Sequence, residues 1–308
     1  MDLSNIRDAL ERRHDSAPCS LEEFLHYQRQ ITIAHSENKT QSRFWARLAG
    51  PCDRPGYDYT DFFNHAWSQL DNQITTGISP ARPDVAEAFE AVSFPIDDLQ
   101  EVLPELFPAG SDFAMPSFAV EFKKAGIELS GASLQCAYDG ALMVHAAMKA
   151  HEYMYGPDLD SFWNKTKAIT IAFNGINLNI FAHYAAPNPD PDRGHRVLFH
   201  QYALAEPTVT TNYEAFKAGQ QLTRNAQDLG YELNTDLRRQ LHEHCDRVRA
   251  ERKARAALVA AEAAKATALQ GPLSPLSNNP DETTKTATEV SSDAGEPLTK
   301  KPRIDAEA

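Results

Sequence analysis

Two apolar runs that meet at an Asn-Gly pair place the tightest limit on how this chain can fold. Residues 167–184 read KAITIAFNGINLNIFAHY, with Asn174 and Gly175 between two stretches rich in β-branched and aromatic side chains. Asn and Gly tolerate the positive φ angles of tight turns, so this pattern is a strong signal for a β-hairpin. The sequence therefore predicts an antiparallel pair of strands in the second half of the chain.

Strand and helix patterns alternate on either side of this hairpin. Residues 116–125 (PSFAVEFKKA) alternate apolar and polar side chains, as a half-buried strand does. A long helical run follows from about residue 132 to residue 155, and residues 195–204 (HRVLFHQYAL) predict another strand. Apolar residues at helical spacing predict further helices within 1–49, at 62–70 and from residue 213 onward.

The composition changes near the C-terminus. From Ala266 onward there is no Phe, Trp or Tyr, and Ser, Thr, Pro, Asp and Glu dominate. Such a segment buries too little apolar surface to offset its chain entropy, so we expect a disordered tail. The chain is expected to hold an N-terminal helical region (1–59), one α/β domain (60–245) and a basic, Ala-rich helix end with the tail (246–308).

Charge and cysteine content exclude several classes of protein. The 308 residues carry a formal net charge of -13, which argues against a protein that coats nucleic acid non-specifically but leaves room for one local phosphate site. No apolar run approaches the roughly 18–20 residues of a membrane span, and the N-terminus is too charged for a signal peptide. The four cysteines lie far apart without a CxxC motif, which predicts neither disulfides nor a zinc site and fits a reducing intracellular compartment.

The tripeptide Glu121-Phe122-Lys123 indicates a chemical function more clearly than any other segment. Residues two apart on a strand share a face, so the carboxylate and the ammonium emerge together. Carboxylates and a lysine around Mg²⁺ suit phosphodiester hydrolysis, because the metal stabilises charge on phosphate oxygens and the lysine orients or activates a water. The alternative is a solvated strand face, and the same spacing recurs without such meaning at 251–253.

The order of these residues resembles a nuclease pattern. Pro83-Asp84, a strand with Glu121-Phe122-Lys123 and a helix with Gln135 follow the minimal motif of the PD-(D/E)XK nuclease superfamily. The local sequence is still more similar to an uncharacterised family of fungal domains with this nuclease-like core, over roughly residues 60–245. The matching stretches are ISPARPD (78–84), PSFAVEFKKAG (116–126), LQCAYDGAL (134–142), the Asn174-Gly175 hairpin and YEAFKAGQQLTRNAQDLG (213–230).

The resemblance implies a fold and a function for several residues. It implies a restriction-endonuclease-like mixed β-sheet flanked by helices. It also implies that Asp84 and Glu121 ligate Mg²⁺ (or Mn²⁺) with the carbonyl of Phe122, that Lys123 assists the attacking water, and that Gln135 lines the site. The superfamily often adds an upstream glutamate, for which the candidates are Glu22, Glu23 and Glu37.

Asp84 has a second interpretation. Residues 81–92 (ARPDVAEAFEAV) also fit the start of a helix, in which Asp84 would favour the helix dipole and bind no metal. Asp112, which precedes Glu121, is then the reserve carboxylate. Two carboxylates about 4 Å apart repel by roughly 4 kcal/mol at an effective dielectric constant near 20, so a close pair of them would itself indicate a cation or a lysine nearby.

Two basic segments predict partners. Lys300, Lys301 and Arg303 resemble a short nuclear-import signal for an import receptor, which makes the nucleus the expected location and the cytoplasm the alternative. The basic run at 247–255 is a solvated helix or contacts nucleic-acid phosphates. The functional hypothesis is Mg²⁺-dependent phosphodiester hydrolysis on DNA or RNA. Its rivals are an inactive nuclease fold that serves as a nuclear binding or scaffold module, and a remnant of a mobile element.

Overall fold

A six-stranded sheet organises the chain. The computed structural model describes residues 2–12, 14, 17, 19–31, 44–50, 57–67, 77–95, 99, 103–107, 113–190 and 196–269. The helices are α1 (Leu3–Glu11), α2 (Leu21–Ile31), α3 (Ala46–Leu48), α4 (Ser130–Tyr155) and α5 (Tyr213–Leu269). The strands are β1 (Tyr59–Phe63), β2 (Val85–Glu90), β3 (Phe113–Phe122), β4 (Ala168–Phe173), β5 (Leu178–Pro187) and β6 (Val197–Ala205).

The strands lie in the sheet in their order along the chain, from β1 to β6. Neighbouring strands are antiparallel except for β3 and β4, which are parallel. A parallel pair needs a long crossover connection, and α4 is part of that connection between β3 and β4. The predicted mixed β-sheet flanked by helices is therefore confirmed.

Both faces of the central strands are covered by helices. On β3, Phe118, Val120 and Phe122 pack in one cluster with apolar side chains of α1, α2 and α5. Ala119 points the other way and packs with apolar side chains of α4. All ten residues of β3 are buried, so the prediction of a half-buried strand at 116–125 was wrong. Alternation along the strand does not reveal the second helical layer, which covers the face of β3 that carries Ala119 and Glu121.

Two segments for which the sequence offered a helix form strands. Residues 85–90 form β2 instead of continuing a helix from Asp84, and residues 59–63 form β1 where the pattern predicted a helix at 62–70. The described part of 62–70 ends at Trp67. β2 lies between β1 and β3, so its backbone groups hydrogen-bond on both sides. These long-range pairings outweigh the local helical spacing.

The hairpin and the long helices agree with the sequence predictions. β4 and β5 are antiparallel, and Gly175 adopts φ 83° in the turn between them. The side-chain oxygen of Asn174 accepts hydrogen bonds from the backbone N–H groups of Ile176 and Asn177, at 2.9 and 2.8 Å. The turn is thus closed by the asparagine that predicted it.

The chain divides into two compact units, residues 1–254 and residues 255–308. In the second unit, residues 255–266 are helical and exposed. Among the described helices, none has both the length and the apolar character that a membrane span requires, in agreement with the sequence prediction. The predicted import signal at Lys300, Lys301 and Arg303 lies outside the described residues, as does Asp112.

Candidate functional site

Asp84, which directly precedes β2, lies across from Glu121 on β3. β2 and β3 pair Val85 with Val120 and Ala86 with Ala119, so the same register continued by one residue sets Asp84 across from Glu121. Oδ2 of Asp84 accepts a hydrogen bond of 2.7 Å from the backbone N–H of Phe122. Asp84 therefore holds the end of β3 beside the start of β2 and does not begin a helix.

Asp139 is a third carboxyl group in this place. It lies on α4, which covers the face of β3 that carries Glu121, and both side chains are only 2% exposed. The two carboxyl groups act on each other, because the negative charge of Asp139 raises the pKa of Glu121. Oδ2 of Asp139 is buried and has no hydrogen-bond partner among the described residues. Buried carboxylate oxygens normally have partners, so this oxygen marks an incomplete site.

Burial and mutual repulsion decide the charge of the pair. Burial raises the pKa of Glu121 far above its usual range, and the negative charges of Asp139 and Asp84 raise it further, while Lys123 acts in the opposite direction. Burial also raises the pKa of Asp139, the interaction with Glu121 opposes this rise, and the charge of Asp84 adds to it. Burial and repulsion therefore favour a proton on the pair, with the larger upward pKa shift at Glu121.

Lys123 directly follows β3 and is half-buried. Its backbone N–H donates to the carbonyl of Phe173 at 2.9 Å, which fixes it beside the end of β4. Its Cε lies 3.9 Å from where an added Cβ of Gly131, in the first turn of α4, would stand. Its positive charge opposes the upward shift in the pKa of Glu121, so the ammonium is close enough to act on that carboxyl group.

Gln135 lies in the second turn of α4 and is exposed. The structure brings Asp84, Glu121 and Lys123 together, whereas Gln135 is not one of the groups that act on the pKa of Glu121. Its role in lining the site stays a prediction. Glu22 and Glu23 lie in the first turn of α2 and are exposed, and Glu37 is outside the described residues.

Neutral polar groups surround the carboxyl pair beneath α4. Oγ1 of Thr170 and Nε2 of His183 lie 2.7 Å apart, and burial lowers the pKa of His183 to about 3, so the imidazole is neutral at physiological pH. Burial, followed by the charge of Asp139, raises the pKa of the Cys136 thiol well above its ordinary value. Cys136 is thus a protonated, buried thiol and lacks the thiolate character of a nucleophile.

The chemistry of the donor set fits a hard divalent cation. Asp84, Glu121 and Asp139 offer carboxylate oxygens, the ligands that Mg²⁺ and Mn²⁺ prefer, and Oδ2 of Asp139 is unsatisfied. Within the part of the chain that the structure describes, no group of three or more His, Cys, Asp or Glu side chains is arranged to hold a metal ion. Burial and mutual repulsion instead favour a proton on the pair of Glu121 and Asp139.

Sequence reasoning missed Asp139. It is the only charged residue between Ser130 and Met148, within a helix that is otherwise apolar or neutral. A single charge in such a helix is an available signal, because a buried carboxylate needs a partner. The partner, Glu121, is distant along the chain and becomes visible only when α4 packs on β3.

The comparison with curated proteins and the comparison with solved structures gave no match. A family model described as Domain of unknown function (DUF7924) matches residues 57–231, which is more than half of the chain. The match extends from just before β1 into α5 and includes Asp84, Glu121, Lys123 and Asp139. The prediction that the central part of the chain is an uncharacterised domain is thus confirmed. The chain belongs to the DUF7924 family of domains of unknown function.

Proposed function

We propose that this protein is a divalent-metal-dependent hydrolase that cleaves phosphodiester bonds in DNA or RNA. The observation that carries the proposal is the convergence of the carboxyl groups of Asp84, Glu121 and Asp139 beside Lys123. Three carboxyl groups and one ammonium in a buried site are costly to assemble without a use for their charges. A bound cation offsets the repulsion between them.

The order of the elements supports the same proposal. Asp84 precedes β2, Glu121 and Lys123 lie at the end of β3, and α4 follows. This is the order that the resemblance to PD-(D/E)XK nucleases implies. The resemblance also covers most of the residues that the family model matches.

Each side chain has a role in this proposal. The carboxylates of Asp84, Glu121 and Asp139 would hold Mg²⁺ or Mn²⁺, which stabilises negative charge on phosphate oxygens and lowers the pKa of water when bound. The hydrogen bond from Phe122 N–H keeps the carboxylate of Asp84 oriented. The Lys123 ammonium orients the attacking water and balances the negative charge that develops during hydrolysis. Glu121 has to release its proton before it binds a cation.

Calorimetric titration of Mg²⁺ and Mn²⁺ tests the metal site. Wild type is expected to bind with release of about one proton, measured from the heats in two buffers of different ionisation enthalpy. Glu121→Gln and Asp139→Asn keep the shape of the pair and are expected to weaken binding at least about tenfold. Glu128→Gln, an exposed carboxylate after the same strand, is the matched control and is expected to bind as wild type does.

The titration is repeated with an uncleavable oligonucleotide present, since substrate phosphates complete some magnesium sites. The metal site is refuted if wild type binds neither cation at millimolar concentration in either experiment. Binding that Glu121→Gln and Asp139→Asn leave unchanged would show that the cation binds elsewhere.

Cleavage assays test the reaction itself. Purified protein is expected to hydrolyse single- or double-stranded DNA or RNA only when Mg²⁺ or Mn²⁺ is present. Lys123→Met is expected to lower the rate by about 100-fold or more while the metal still binds, because the lysine acts on water and not as a ligand. Lys124→Met alters the exposed neighbouring lysine and is expected to leave the rate unchanged. Equal rates for both variants would remove Lys123 from the mechanism.

A second candidate function is a binding module without catalysis. It is favoured by the burial of Glu121 and by the raised pKa values of Glu121 and Asp139, because a pair that holds a proton needs no metal to balance its charge. Failure of the metal titration would select this candidate. The partner would then be sought in the nucleus, where the predicted import signal at Lys300, Lys301 and Arg303 would direct the protein.

A further inference from the structure

A cavity of about 480 Å³ lies near the start of β3 and β4, between α4 and α5. Most of its wall is apolar, with contributions from Leu106, Met115, Met143, Ala147 and Leu237. This volume falls within the range of roughly 300–1,000 Å³ that is typical of small-molecule sites. The cavity is therefore large enough for a ligand with an apolar body.

Lys167 brings a positive charge to this apolar wall. Its Nζ lies 4.4 Å from the centre of the Phe162 ring. The same Nζ makes no hydrogen bond or ion pair with any other described residue. Burial and the nearby charge of Lys165 lower the pKa of Lys167 to about 8, although Asp236 opposes them. The side chain is thus mainly an ammonium at neutral pH, with three donors that lack a protein acceptor in the described structure.

Three other polar residues of the wall already make hydrogen bonds. Oγ of Ser117 donates to the carbonyl of Gly230 at 2.7 Å, and the side-chain amide of Asn234 donates to the carbonyl of Met115. Both carboxylate oxygens of Asp236 accept hydrogen bonds from side chains one turn further along α5. Lys167 is therefore the wall residue with a positive charge left for a ligand, and the buried Oγ1 of Thr166, which has no hydrogen-bond partner among the described residues, offers a second donor.

We infer that this cavity binds a small molecule that combines an apolar body with a single carboxylate group, and that the carboxylate pairs with the ammonium of Lys167. An ammonium pairs strongly with a carboxylate where water is partly excluded. Glu232 and Asp236 are exposed members of the same wall and repel additional negative charge. The ligand is thus a monocarboxylate and not a polyphosphate or a nucleic acid.

This inference does not depend on the proposed hydrolase function. Ser117, in the cavity wall, is four residues before Glu121 on β3, which corresponds to about 13 Å along an extended strand. None of Asp84, Glu121, Lys123 and Asp139 lines the cavity. Ligand binding here and metal binding there are measured separately, so either one can fail without the other.

Calorimetry with the full-length protein tests the inference, with decanoate as the probe and decanol as the uncharged analogue. Wild type is expected to bind decanoate at least about tenfold more tightly than decanol. Lys167→Met keeps an unbranched apolar side chain and is expected to remove that difference. Lys165→Met alters the exposed lysine two residues earlier and is expected to leave it intact.

Ala147→Leu adds bulk to the apolar wall and is expected to weaken both ligands while Lys167 stays in place. It also provides a test if Lys167→Met does not fold. The inference is overturned if wild type binds neither ligand, or if it binds both with equal affinity. It is also overturned if Ala147→Leu folds and binds both ligands as wild type does, because the ligands would then lie outside the cavity.

Discussion

Gly140→Ala is expected to destabilise the protein by about 3 kcal/mol, because α4 packs too closely on β5 to admit a methyl group. An alanine Cβ at this position would lie 2.1 Å from Nδ1 and 2.3 Å from Cγ of His183. The His183 ring has no room to retreat, since the residue is 1% exposed and its Nε2 lies 2.7 Å from Oγ1 of Thr170. Either α4 moves away from the sheet or the contact with Thr170 breaks.

Opposing contributions set the size of this effect. Overpacking a core costs typically about 1–3 kcal/mol, and a buried polar group that loses its hydrogen bond costs about 1–3 kcal/mol more. Alanine in place of glycine stabilises a helix by about 1 kcal/mol, which offsets part of this cost. The net loss corresponds to a fall of roughly 6–12 °C in the melting temperature of a domain of this size.

Thermal and urea denaturation of wild type and variant measure the loss. Gly131→Ala is the matched control on the same helix, because its added Cβ would meet its nearest neighbour at 3.9 Å, an ordinary contact. The control is expected to be as stable as wild type or slightly more stable. In a double-mutant cycle with His183→Ala, the cost of Gly140→Ala should fall sharply. An equal cost in both backgrounds would show that the His183 ring is not the obstacle.

Local patterns in the sequence predict the local elements of this fold and fail where strands pair at long range. The Asn174-Gly175 hairpin and α4 are determined by residues close together in the chain, and both were predicted. The end of β1 was predicted as the start of a helix, and β2 had a helical interpretation beside its other one, because their apolar residues also fit helical spacing. The pairing of β2 with β1 and with β3, each more than twenty residues away along the chain, decides between the two periods.

The residues of the candidate site also differ in how well local sequence patterns predict them. Glu121 and Lys123 share one short segment, so alternation along a strand was enough to single them out. Asp84 had two interpretations until the register of β2 on β3 set it across from Glu121. Asp139 depends on the packing of a helix on a sheet, which no local pattern encodes. The polar groups that define the site are thus the ones that sequence periodicity describes least well.

Glu121→Gln is expected to stabilise the metal-free protein at alkaline pH. The folded-state pKa of Glu121 is raised above its value in the unfolded chain, so folded protein holds a proton that unfolded protein releases. Stability from such a group is fully present below the unfolded pKa, near pH 4.5, and is lost as pH rises toward the folded pKa. Glutamine has nearly the same shape and is neutral at every pH, and therefore removes this loss.

The expected difference in stability between Glu121→Gln and wild type grows with pH. Each pH unit above the unfolded pKa costs wild type about 1.4 kcal/mol for as long as Glu121 keeps its proton in the folded state. The two proteins should have similar stability near pH 5, and the variant should be more stable by roughly 2 kcal/mol or more near pH 8. Asp139 also has a raised pKa, about 7, so Glu121→Gln still loses some stability as pH rises from about 4 to about 7. Urea denaturation across this pH range measures the difference.

The acid side of the profile provides an internal comparison. The pKa of His183 is lowered to about 3, so its contribution to stability is present above its ordinary value of 6.5 and is lost as pH falls toward 3. Glu121→Gln should leave this acid loss unchanged, and the exposed control Glu128→Gln should leave both sides unchanged. Parallel profiles for wild type and Glu121→Gln would contradict a protonated Glu121. The same profiles are then measured with Mg²⁺ present. If Mg²⁺ raises the stability of wild type at alkaline pH but not that of Glu121→Gln, the cation has taken the place of the proton.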